Sequence, residues 1–327
     1  MVQTVRTSPQ RRVSVETTAR LHMGFIDLNG GLGRRFGSIG LSLDKPMLRL
    51  NACRQSDFTA VGPGNERVVA YARTFAQRAG IAGGARFEVL TAIPDHAGLG
   101  SGTQIALAVG SALSRLYDLG LDTVQVAVMT ARGARSGIGI GAFDDGGLLV
   151  DAGRGPDTLV PPIVARMHFP EQWRVLLVYD PASEGVHGSE EKQAFGAMPD
   201  FSAEQAASLA RLVLMQALPA VAEHDLPAFG AAISELQRVV GDYFAPAQGG
   251  GRYLSPRVAA AMAWLEQQGV GCVGQSSWGP TGFAVVEDAA RAAALQQQLQ
   301  QLYPALHYEI CAGRNTGSKV TSANDGL

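Results

Sequence analysis

The sequence has few cysteines, and they lie far apart. Only three occur in 327 residues, namely Cys53, Cys272 and Cys311. No two of them have the CxxC spacing of a zinc site, and three scattered thiols do not indicate a disulfide framework. Unpaired thiols are typical of a reducing compartment. We therefore expect a cytoplasmic protein without structural zinc.

The sequence also lacks a strong charge imbalance and a long apolar run. The formal net charge is −2 at pH 7, and no basic stripe indicates a nucleic-acid partner. No apolar run is predicted to span a membrane. Residues 1–12 are polar and basic, lack the apolar core of a signal peptide and are expected to form a flexible tail. The partners that remain are small-molecule substrates.

Length and composition predict a globular protein of two domains. Hydrophobic residues make up 46% and charged residues 17% of the chain, and its length exceeds what one typical core holds. A Gly-, Pro- and Asp-rich stretch at 151–162 is typical of a crossing between domains. We place the domains at 13–160 and 161–312, followed by a polar tail at 313–327 that is expected to be mobile.

Hydrophobic periodicity predicts strands and helices in both halves. In the first half it predicts strands at 12–19, 38–43, 47–52 and 85–93, and helices at 66–78, 101–119 and 123–132. In the second half it predicts strands at 173–179, 270–277, 281–286 and 306–311, and helices at 203–223, 226–244, 256–268 and 289–302. The second half therefore resembles a small antiparallel sheet with helices on one face.

The most informative stretch is IPDHAGLGSGTQ at 93–104, which joins a predicted strand to a predicted helix. Its glycines let backbone N–H groups approach an anion, and the helix start adds unpaired donors and the positive end of a dipole. It is neither a Walker loop nor a dinucleotide GxGxxG, and a plain tight turn is the simpler alternative. We predict a phosphate-binding loop made of Gly98, Leu99, Gly100, Ser101, Gly102, Thr103 and Gln104.

Two further segments, 20–33 and 132–147, combine glycines with charged side chains and are predicted to be loops. Arginine can bind a phosphate or a carboxylate through two parallel hydrogen bonds. The alternatives are a solvated cation after a helix, a structural histidine and a turn-forming aspartate. The candidate site residues here are Arg20, His22, Asp27, Arg132, Arg135 and Ser136.

Three stretches occur in the order found in one superfamily of small-molecule kinases: 20–22 (RLH), 94–103, which is similar to PxxxGLGSS, and the glycine-rich run 271–282. The chain thus resembles the GHMP kinases, named for galactokinase, homoserine kinase, mevalonate kinase and phosphomevalonate kinase. The resemblance implies an α+β fold with an N-terminal α/β domain, a C-terminal ferredoxin-like domain and an active site in the cleft between them. An ATP-dependent small-molecule kinase is one function that this fold allows.

One position departs from the kinase pattern. Many members carry SGxD, whose aspartate orients or deprotonates the attacking hydroxyl, whereas this chain reads Ser136-Gly137-Ile138-Gly139. Glycine offers no base at that position. Homoserine-kinase-like members also lack the aspartate, so a kinase remains an alternative, as does a non-enzymatic ligand sensor.

Four stretches are similar to the β-ribofuranosylaminobenzene 5′-phosphate synthase family. They are RLHxGxxDLNG at 20–30, IPxHxGLGSGTQ at 93–104, RSGIGIxAFxxGG at 135–147 and GVHGSEE at 185–191. Members of this family condense phosphoribosyl diphosphate with 4-aminobenzoate, releasing CO2 and diphosphate, in tetrahydromethanopterin biosynthesis. The resemblance implies a decarboxylating pentosyltransferase, with 4-hydroxybenzoate as an alternative acceptor.

The resemblance also implies roles for individual residues. A transferase whose aromatic substrate loses CO2 needs groups that bind the phosphates and a pocket that holds the ring away from water. It needs no strong base. The implied catalytic residues are Arg20, His22, Asp27, Arg135 and Ser136, and Arg132 joins the loop in binding phosphate. The implied substrate-binding residues are His187, Glu190 and Ser276. Mg2+ is expected beside Ser101, Thr103 and Glu190, with Asp144 as a further candidate, and a homodimer is expected.

Overall fold

The computed structural model describes residues 11–185 and 198–324. The predictions on His187, on Glu190 and on most of the GVHGSEE stretch lie outside the described residues.

A long antiparallel pair of strands, β1 (Arg11–Asp27) and β2 (Phe36–Gln55), forms the centre of the first sheet. Among the described residues this sheet has seven strands, in the order β11-β1-β2-β4-β3 with β5 and β6 attached beyond β2. The others are β3 (Thr59–Val61), β4 (Gly84–Thr91), β5 (Leu148–Asp151), β6 (Ile163–Met167) and β11 (Lys319–Asn324). The helices of this half are α1 (Asn65–Ala79), α2 (Ser101–Leu116), α3 (Thr123–Met129) and α4 (Ile138–Asp144).

A second, antiparallel sheet has the order β10-β7-β9-β8. Its strands are β7 (Arg174–Tyr179), β8 (Val273–Gln275), β9 (Gly282–Val286) and β10 (His307–Ala312). The helices of this half are α5 (Ala203–Leu212), a π-helical turn (Val213–Ala217), α6 (Leu218–Glu223), α7 (Leu226–Phe244), a 3₁₀ turn (Ala245–Gln248), α8 (Pro256–Gln267) and α9 (Ala289–Leu302). Because strand residues alternate between faces, Leu176 and Val178 pack with α8 and α9, whereas Val175 and Leu177 join the main core. The predicted α+β fold is confirmed.

Among the described residues, one continuous helical run, 203–223, has the length and hydropathy of a membrane span. Its inner face is buried in the main core through Ala206, Leu209, Val213 and Ala217. The run therefore packs against the core through one face, while Leu214 and Met215 on its other face are exposed.

The N-terminal strands are longer than predicted. Residues 20–27, predicted to be loop, belong to β1, and the two strands predicted at 38–43 and 47–52 are one strand that contains Pro46. The register of β1 against β2 shifts between His22 and Gly24, so the glycine marks an irregularity in a strand rather than a turn. A Cβ on Gly24 would lie 2.0 Å from Leu236 of α7. The glycine thus lets α7 approach β1.

The predicted mobile tail at 313–327 is wrong for residues 319–324. These residues form β11, which pairs antiparallel with β1 from Glu16–Lys319 to Arg11–Asn324. The chain therefore returns to the first sheet after the second domain, and β6 also extends that sheet past the predicted boundary at 160. The polar composition of β11 concealed it because an edge strand needs little apolar sequence.

The segment 132–147, predicted to be a loop, contains α4. Its glycines conceal a helix whose Ile138, Ile140 and Phe143 are buried. A Cβ on Gly141 would lie 2.9 Å from Ile163 of β6, so glycine is what lets α4 pack closely against the sheet.

Candidate functional site

A cleft of about 660 Å³ lies where several parts of the chain meet. They include β1, α1, the loop and first turn of α2, the segment 131–136 and the turn 277–279. Since β1 belongs to the first sheet and the turn joins β8 to β9 of the second, the cleft lies between the two halves of the molecule. This is where the GHMP resemblance places an active site.

The loop before α2 has the geometry of an anion site. Gly98 and Gly100 have φ angles of 77° and 82°, a region that favours glycine. A Cβ on Gly98 would lie 2.3 Å from the Ser276 carbonyl oxygen, so the loop closes against the glycine-rich run 271–282. No side chain of a described residue caps α2, so its first N–H groups and its dipole are presented to the cleft.

The structure brings five of the seven predicted loop residues to the cleft, namely Gly98, Gly100, Ser101, Gly102 and Thr103. The prediction is wrong for the side chains of the other two. Leu99 is buried, and its carbonyl accepts the Arg20 N–H at 3.1 Å. Gln104 is also buried, where its Oε1 accepts from Thr17 at 2.5 Å and its Nε2 donates to the Gly139 carbonyl at 2.8 Å. Both side chains support the loop from behind.

Four arginines line the cleft: Arg20, Arg67, Arg132 and Arg135. Among the described residues that line it, none is an aspartate or a glutamate. The guanidinium groups of Arg67 and Arg132 lie over the start of α2, since a Cβ on Gly102 would be 3.0 Å and 3.3 Å from their Nη2 atoms. The cleft therefore combines positive side chains with the positive end of a helix dipole.

The arginines over α2 are positioned by neighbouring side chains. Arg67 forms an ion pair with Asp95 and lies 3.5 Å from Ser101 Oγ. Arg132 donates to the Tyr71 hydroxyl, and its Cζ lies 5.1 Å from the centre of that ring. Sequence reasoning missed Arg67 and Tyr71, because they lie on an amphipathic helix that carries no motif.

Arg20 supports the loop as well as lining the cleft. Its Nη1 donates to the Gly98 carbonyl at 2.7 Å. Together with the backbone bond to Leu99, this contact couples β1 to the phosphate loop.

His22 lies at the bottom of the cleft and is a neutral imidazole at neutral pH. Its side chain is 3% exposed. Burial, together with the positive charges of Arg20 and Arg135, lowers its pKa to about 3. Its Nε2 is buried and has no hydrogen-bond partner among the described residues. Because an unpaired buried nitrogen is costly, this atom is available to a bound substrate.

Two predicted site residues, Asp27 and Ser276, have structural roles. The Asp27 carboxylate accepts from the N–H groups of Asn29 and Gly30 at 2.8 Å and 2.9 Å, so the turn-forming alternative is correct. Ser276 is fully buried, donates to the Gly98 carbonyl at 2.9 Å and accepts the His22 N–H at 3.2 Å. Its neighbour Ser277 lines the cleft instead.

Ser136 lines the cleft, but its hydroxyl is engaged. It donates to Asp151 Oδ2 at 3.0 Å and lies 2.8 Å from Ser38 Oγ. Ser38 Oγ also donates to Asp151 Oδ2. Burial raises the pKa of Asp151, although the hydrogen bonds from Ser38, from the Gly153 N–H and from Ser136 oppose the shift. This cluster holds the start of α4 in place.

The position that is aspartate in many GHMP kinases is glycine here and packs against α2. A Cβ on Gly139 would lie 2.9 Å from Thr103 Cγ2, so a side chain at this position would displace Thr103. Asp144 does not replace the missing aspartate, because it accepts from the Thr123 hydroxyl and is not among the residues that line the cleft. The described residues also contain no cluster of three or more metal-binding side chains.

A second, smaller pocket of about 30 Å³ adjoins the cleft. Four residues line both spaces, namely His22, Phe25, Ser277 and Trp278. The remaining walls include Phe244, three glutamines (Gln237, Gln248 and Gln275) and Arg252, which is paired with Asp242. Sequence reasoning missed this pocket, because its glutamines come from α7, the 3₁₀ turn and β8.

Comparison with known families agrees with this architecture. The profile described as GHMP kinases N terminal domain matches residues 66–145, and that described as GHMP kinases C terminal matches residues 217–305. A mevalonate diphosphate decarboxylase structure from Enterococcus faecalis has a TM-score of 0.68 at 15% identity, covering 96% of this chain and 100% of that one. A homoserine kinase structure from Cytophaga hutchinsonii has a TM-score of 0.64 at 12% identity, covering 98% and 100%. The class is therefore the GHMP kinase fold.

Sequence relatives give a narrower assignment. The β-ribofuranosylphenol 5′-phosphate synthase of Archaeoglobus fulgidus is 34% identical, covering 94% of this chain and 98% of its own length. The synthase of the same name from Methanothermobacter thermautotrophicus is 30% identical, covering 84% and 88%. This chain belongs to the β-ribofuranosylphenol 5′-phosphate synthase family, which confirms the predicted pentosyltransferase class. The kinase alternative is supported only by the fold.

Proposed function

We propose that this chain transfers a ribosyl 5-phosphate group from phosphoribosyl diphosphate to the ring carbon that carries the carboxylate of a 4-substituted benzoate, with loss of CO2 and diphosphate. The acceptor is 4-aminobenzoate or 4-hydroxybenzoate, since the relatives are named for a phenol product. The observation that carries the proposal is the cleft, where four arginines meet an uncapped helix start and no described residue supplies a carboxylate.

The donor substrate matches this charge pattern. Phosphoribosyl diphosphate carries a phosphate and a diphosphate, and Arg67, Arg132 and the start of α2 would hold the diphosphate. Negative charge develops on this leaving group as its bond to the ribose breaks, and stabilising such charge is usually the largest catalytic contribution. Arg20 and Arg135, on the side of His22, would hold the remaining anionic groups.

We propose that Mg2+ is bound mainly through the substrate. Mg2+ prefers oxygen ligands and bridges phosphates, and the hydroxyls of Ser101 and Thr103 lie at the start of α2. These hydroxyls would complete a coordination sphere supplied largely by phosphate oxygens and water. When bound, the ion would neutralise charge on the leaving diphosphate.

The reaction balances without a protein base. The ring carbon attacks C1 of the ribose, and the electron pair of the C1–O bond leaves with diphosphate. The bond from the ring to the carboxylate then breaks, and its electrons restore the aromatic ring as CO2 departs. No proton has to leave the ring, so glycine at position 139, which offers no base, and the low pKa of His22 suit this chemistry. His22 Nε2 can hydrogen-bond a substrate atom without taking up a proton.

From the family resemblance we also propose a cytoplasmic homodimer in tetrahydromethanopterin biosynthesis. Three free cysteines support the reducing compartment. Size-exclusion chromatography with light scattering tests the dimer, and a monomeric mass at assay concentrations would contradict it.

The activity is tested with acids labelled at the carboxyl carbon. Purified protein, Mg2+ and phosphoribosyl diphosphate are mixed with labelled 4-aminobenzoate or 4-hydroxybenzoate, and released CO2 is trapped. Parallel reactions contain ATP in place of phosphoribosyl diphosphate. We expect CO2 only with phosphoribosyl diphosphate, in equal amount to diphosphate. No CO2 with either acid from folded protein would overturn the proposal.

A further inference from the structure

We propose that the 30 Å³ pocket receives the para substituent of the aromatic acid, and that the amide oxygen of Gln248 selects for a substituent that donates hydrogen bonds. This inference rests on the proposed function and adds to it the part of the site that recognises the acceptor.

The position of the pocket matches the chemistry of the acid. The carbon that is attacked carries the carboxylate and must lie beside C1 of the ribose, in the cleft. The para substituent points in the opposite direction across the ring. His22, Phe25, Ser277 and Trp278 line both spaces, so a ring at this junction has its carboxylate in the cleft and its para position in the pocket.

The size of the pocket fits a substituent rather than a ring. A water molecule needs about 10–15 Å³ measured in this way, whereas an engineered cavity that binds benzene has about 150 Å³. A pocket of about 30 Å³ therefore admits a group of one heavy atom, such as an amine, a hydroxyl or a methyl.

Aromatic side chains form the walls at this junction. The ring centres of His22 and Phe25 are 4.6 Å apart, and those of Phe244 and Trp278 are 4.4 Å apart. Phe25 and Phe244 connect the two pairs at 6.3 Å. Such surfaces favour an aromatic ligand through offset or edge contacts.

The hydrogen bonds made by the glutamine side chains indicate which substituent the pocket prefers. Gln237 Nε2 donates to the Met23 and Gln275 carbonyls, and Gln275 Nε2 donates to Gln248 Oε1 at 2.7 Å and to the Ser277 carbonyl at 3.3 Å. The N–H groups of Gln237 and Gln275 are thus engaged, and Gln248 Nε2 donates to the Arg252 carbonyl at 3.4 Å. The Arg252 guanidinium also lines the pocket and is paired with Asp242. An amide oxygen has two lone pairs, so Gln248 Oε1 can accept a second hydrogen bond. This oxygen is therefore the acceptor that we assign to a donating substituent.

Among these glutamines, Gln248 is the one whose role can be tested by substitution. Its side chain is 8% exposed, on the 3₁₀ turn that follows α7. Gln237 instead joins β1 to β8, because its Nε2 donates to Met23 and its Oε1 accepts the Gln275 N–H at 2.8 Å. Changing Gln237 would disturb both sheets.

Binding is the appropriate measurement, because an amine or a hydroxyl also activates the ring and would dominate a rate. The dissociation constants of 4-aminobenzoate and 4-methylbenzoate are measured by calorimetry with inorganic diphosphate and Mg2+ present. The two acids differ in whether the para group donates a hydrogen bond. We expect the wild-type protein to bind 4-aminobenzoate about 10-fold more tightly, as expected from one or two buried hydrogen bonds.

In Gln248→Met we expect this preference to fall to about threefold or less, because the accepting oxygen is gone. Gln248→Glu keeps an accepting oxygen and should retain the preference. Gln216→Met is the matched control, because Gln216 donates to the Ala228 carbonyl away from the pocket. Thermal unfolding and binding of diphosphate report whether each variant is folded.

The outcomes separate this inference from the proposed function. If wild-type protein releases CO2 from 4-aminobenzoate but Gln248→Met keeps the wild-type preference, the inference is wrong and the function stands. An equal preference for both acids in the wild-type protein also overturns the inference. Absence of CO2 release from the wild-type protein overturns the proposed function itself. If Gln248→Met does not fold, two other measurements decide the question. Gln248→Glu should retain the preference for 4-aminobenzoate, and the wild-type protein should not bind the bulkier 4-tert-butylbenzoate. Tight binding of that acid would exclude a small para pocket.

Discussion

At the scale of single residues, the positive charge over α2 depends on a few side chains. Arg67 is held by Asp95 and Ser101 beside the first turn of the helix. Hydrogen bonds to charged groups contribute about 1.5–3 kcal/mol. We expect Arg67→Ala to raise the Kd of phosphoribosyl diphosphate by about 10-fold or more, measured by calorimetry.

Arg73→Ala is the matched control, since Arg73 lies on the same helix and is exposed. Its Kd should stay within about twofold of the wild-type value. If Arg67→Ala and Arg73→Ala raised the Kd of phosphoribosyl diphosphate equally, Arg67 would act only through the overall charge of the protein.

His22 gives a prediction about pH. Its pKa in the folded protein, about 3, lies below the value of 6.5 for an unperturbed histidine. Between these values the unfolded chain binds a proton that the folded protein does not, so the contribution of His22 to stability falls as pH decreases. The full contribution is present above about pH 6.5.

We therefore compare wild-type protein with His22→Asn by urea unfolding between about pH 7 and about pH 5. The wild-type free energy of unfolding should fall more steeply with decreasing pH, by up to about 1.4 kcal/mol per pH unit. The raised pKa values of Asp144 and Asp151 affect both proteins equally. Parallel curves would mean that His22 is not a buried neutral imidazole.

At the scale of elements, close packing of α4 on α2 places glycine opposite Thr103. We expect Gly139→Ala to destabilise the protein by about 1–3 kcal/mol, because an added Cβ overlaps Thr103 Cγ2. In a Thr103→Ala background the same substitution should cost less, by about 0.5 kcal/mol or more. Urea unfolding of the four proteins in this cycle measures the difference, and additive effects would contradict the contact.

The last strand gives a second prediction at this scale. Deleting residues 319–327 removes β11, its pairing with β1 and the contact of Val320 with the core. We expect the free energy of unfolding to fall by about 1–3 kcal/mol. Deleting residues 325–327 alone is the control and should change little. An unchanged stability without β11 would show that this strand adds nothing to the sheet.

How far the elements could be predicted depended on the length and composition of each one. α7 was predicted at its observed bounds, 226–244, because nineteen residues of amphipathic pattern give a clear period. α4 was missed because its seven residues include two glycines. β11 was missed because its pairing with β1 is a long-range contact that local composition does not reveal.

At the scale of the whole molecule, the loop proposed to bind phosphate was predictable from the sequence, and the pocket proposed to bind the acceptor was not. The loop at 98–103 is recognised from closely spaced glycines before a predicted helix, which is a local signal. The small pocket joins residues of β1, α7, the 3₁₀ turn and β8, and only the fold brings them together. Asp27 and Ser276 lie within family motifs and were therefore predicted to be site residues. In the structure Asp27 stabilises a turn and Ser276 stabilises a loop contact.

In the proposed function, one cleft holds diphosphate at α2 and the aromatic acid at His22. A crystal structure with phosphoribosyl diphosphate, Mg2+ and 4-methylbenzoate, an acid whose ring is only weakly activated, tests it most directly. We predict the diphosphate on the first turn of α2 between Arg67 and Arg132, with the acid beside Phe25 and Trp278. Diphosphate bound elsewhere, or an acid outside the junction of the cleft and the small pocket, would contradict the account.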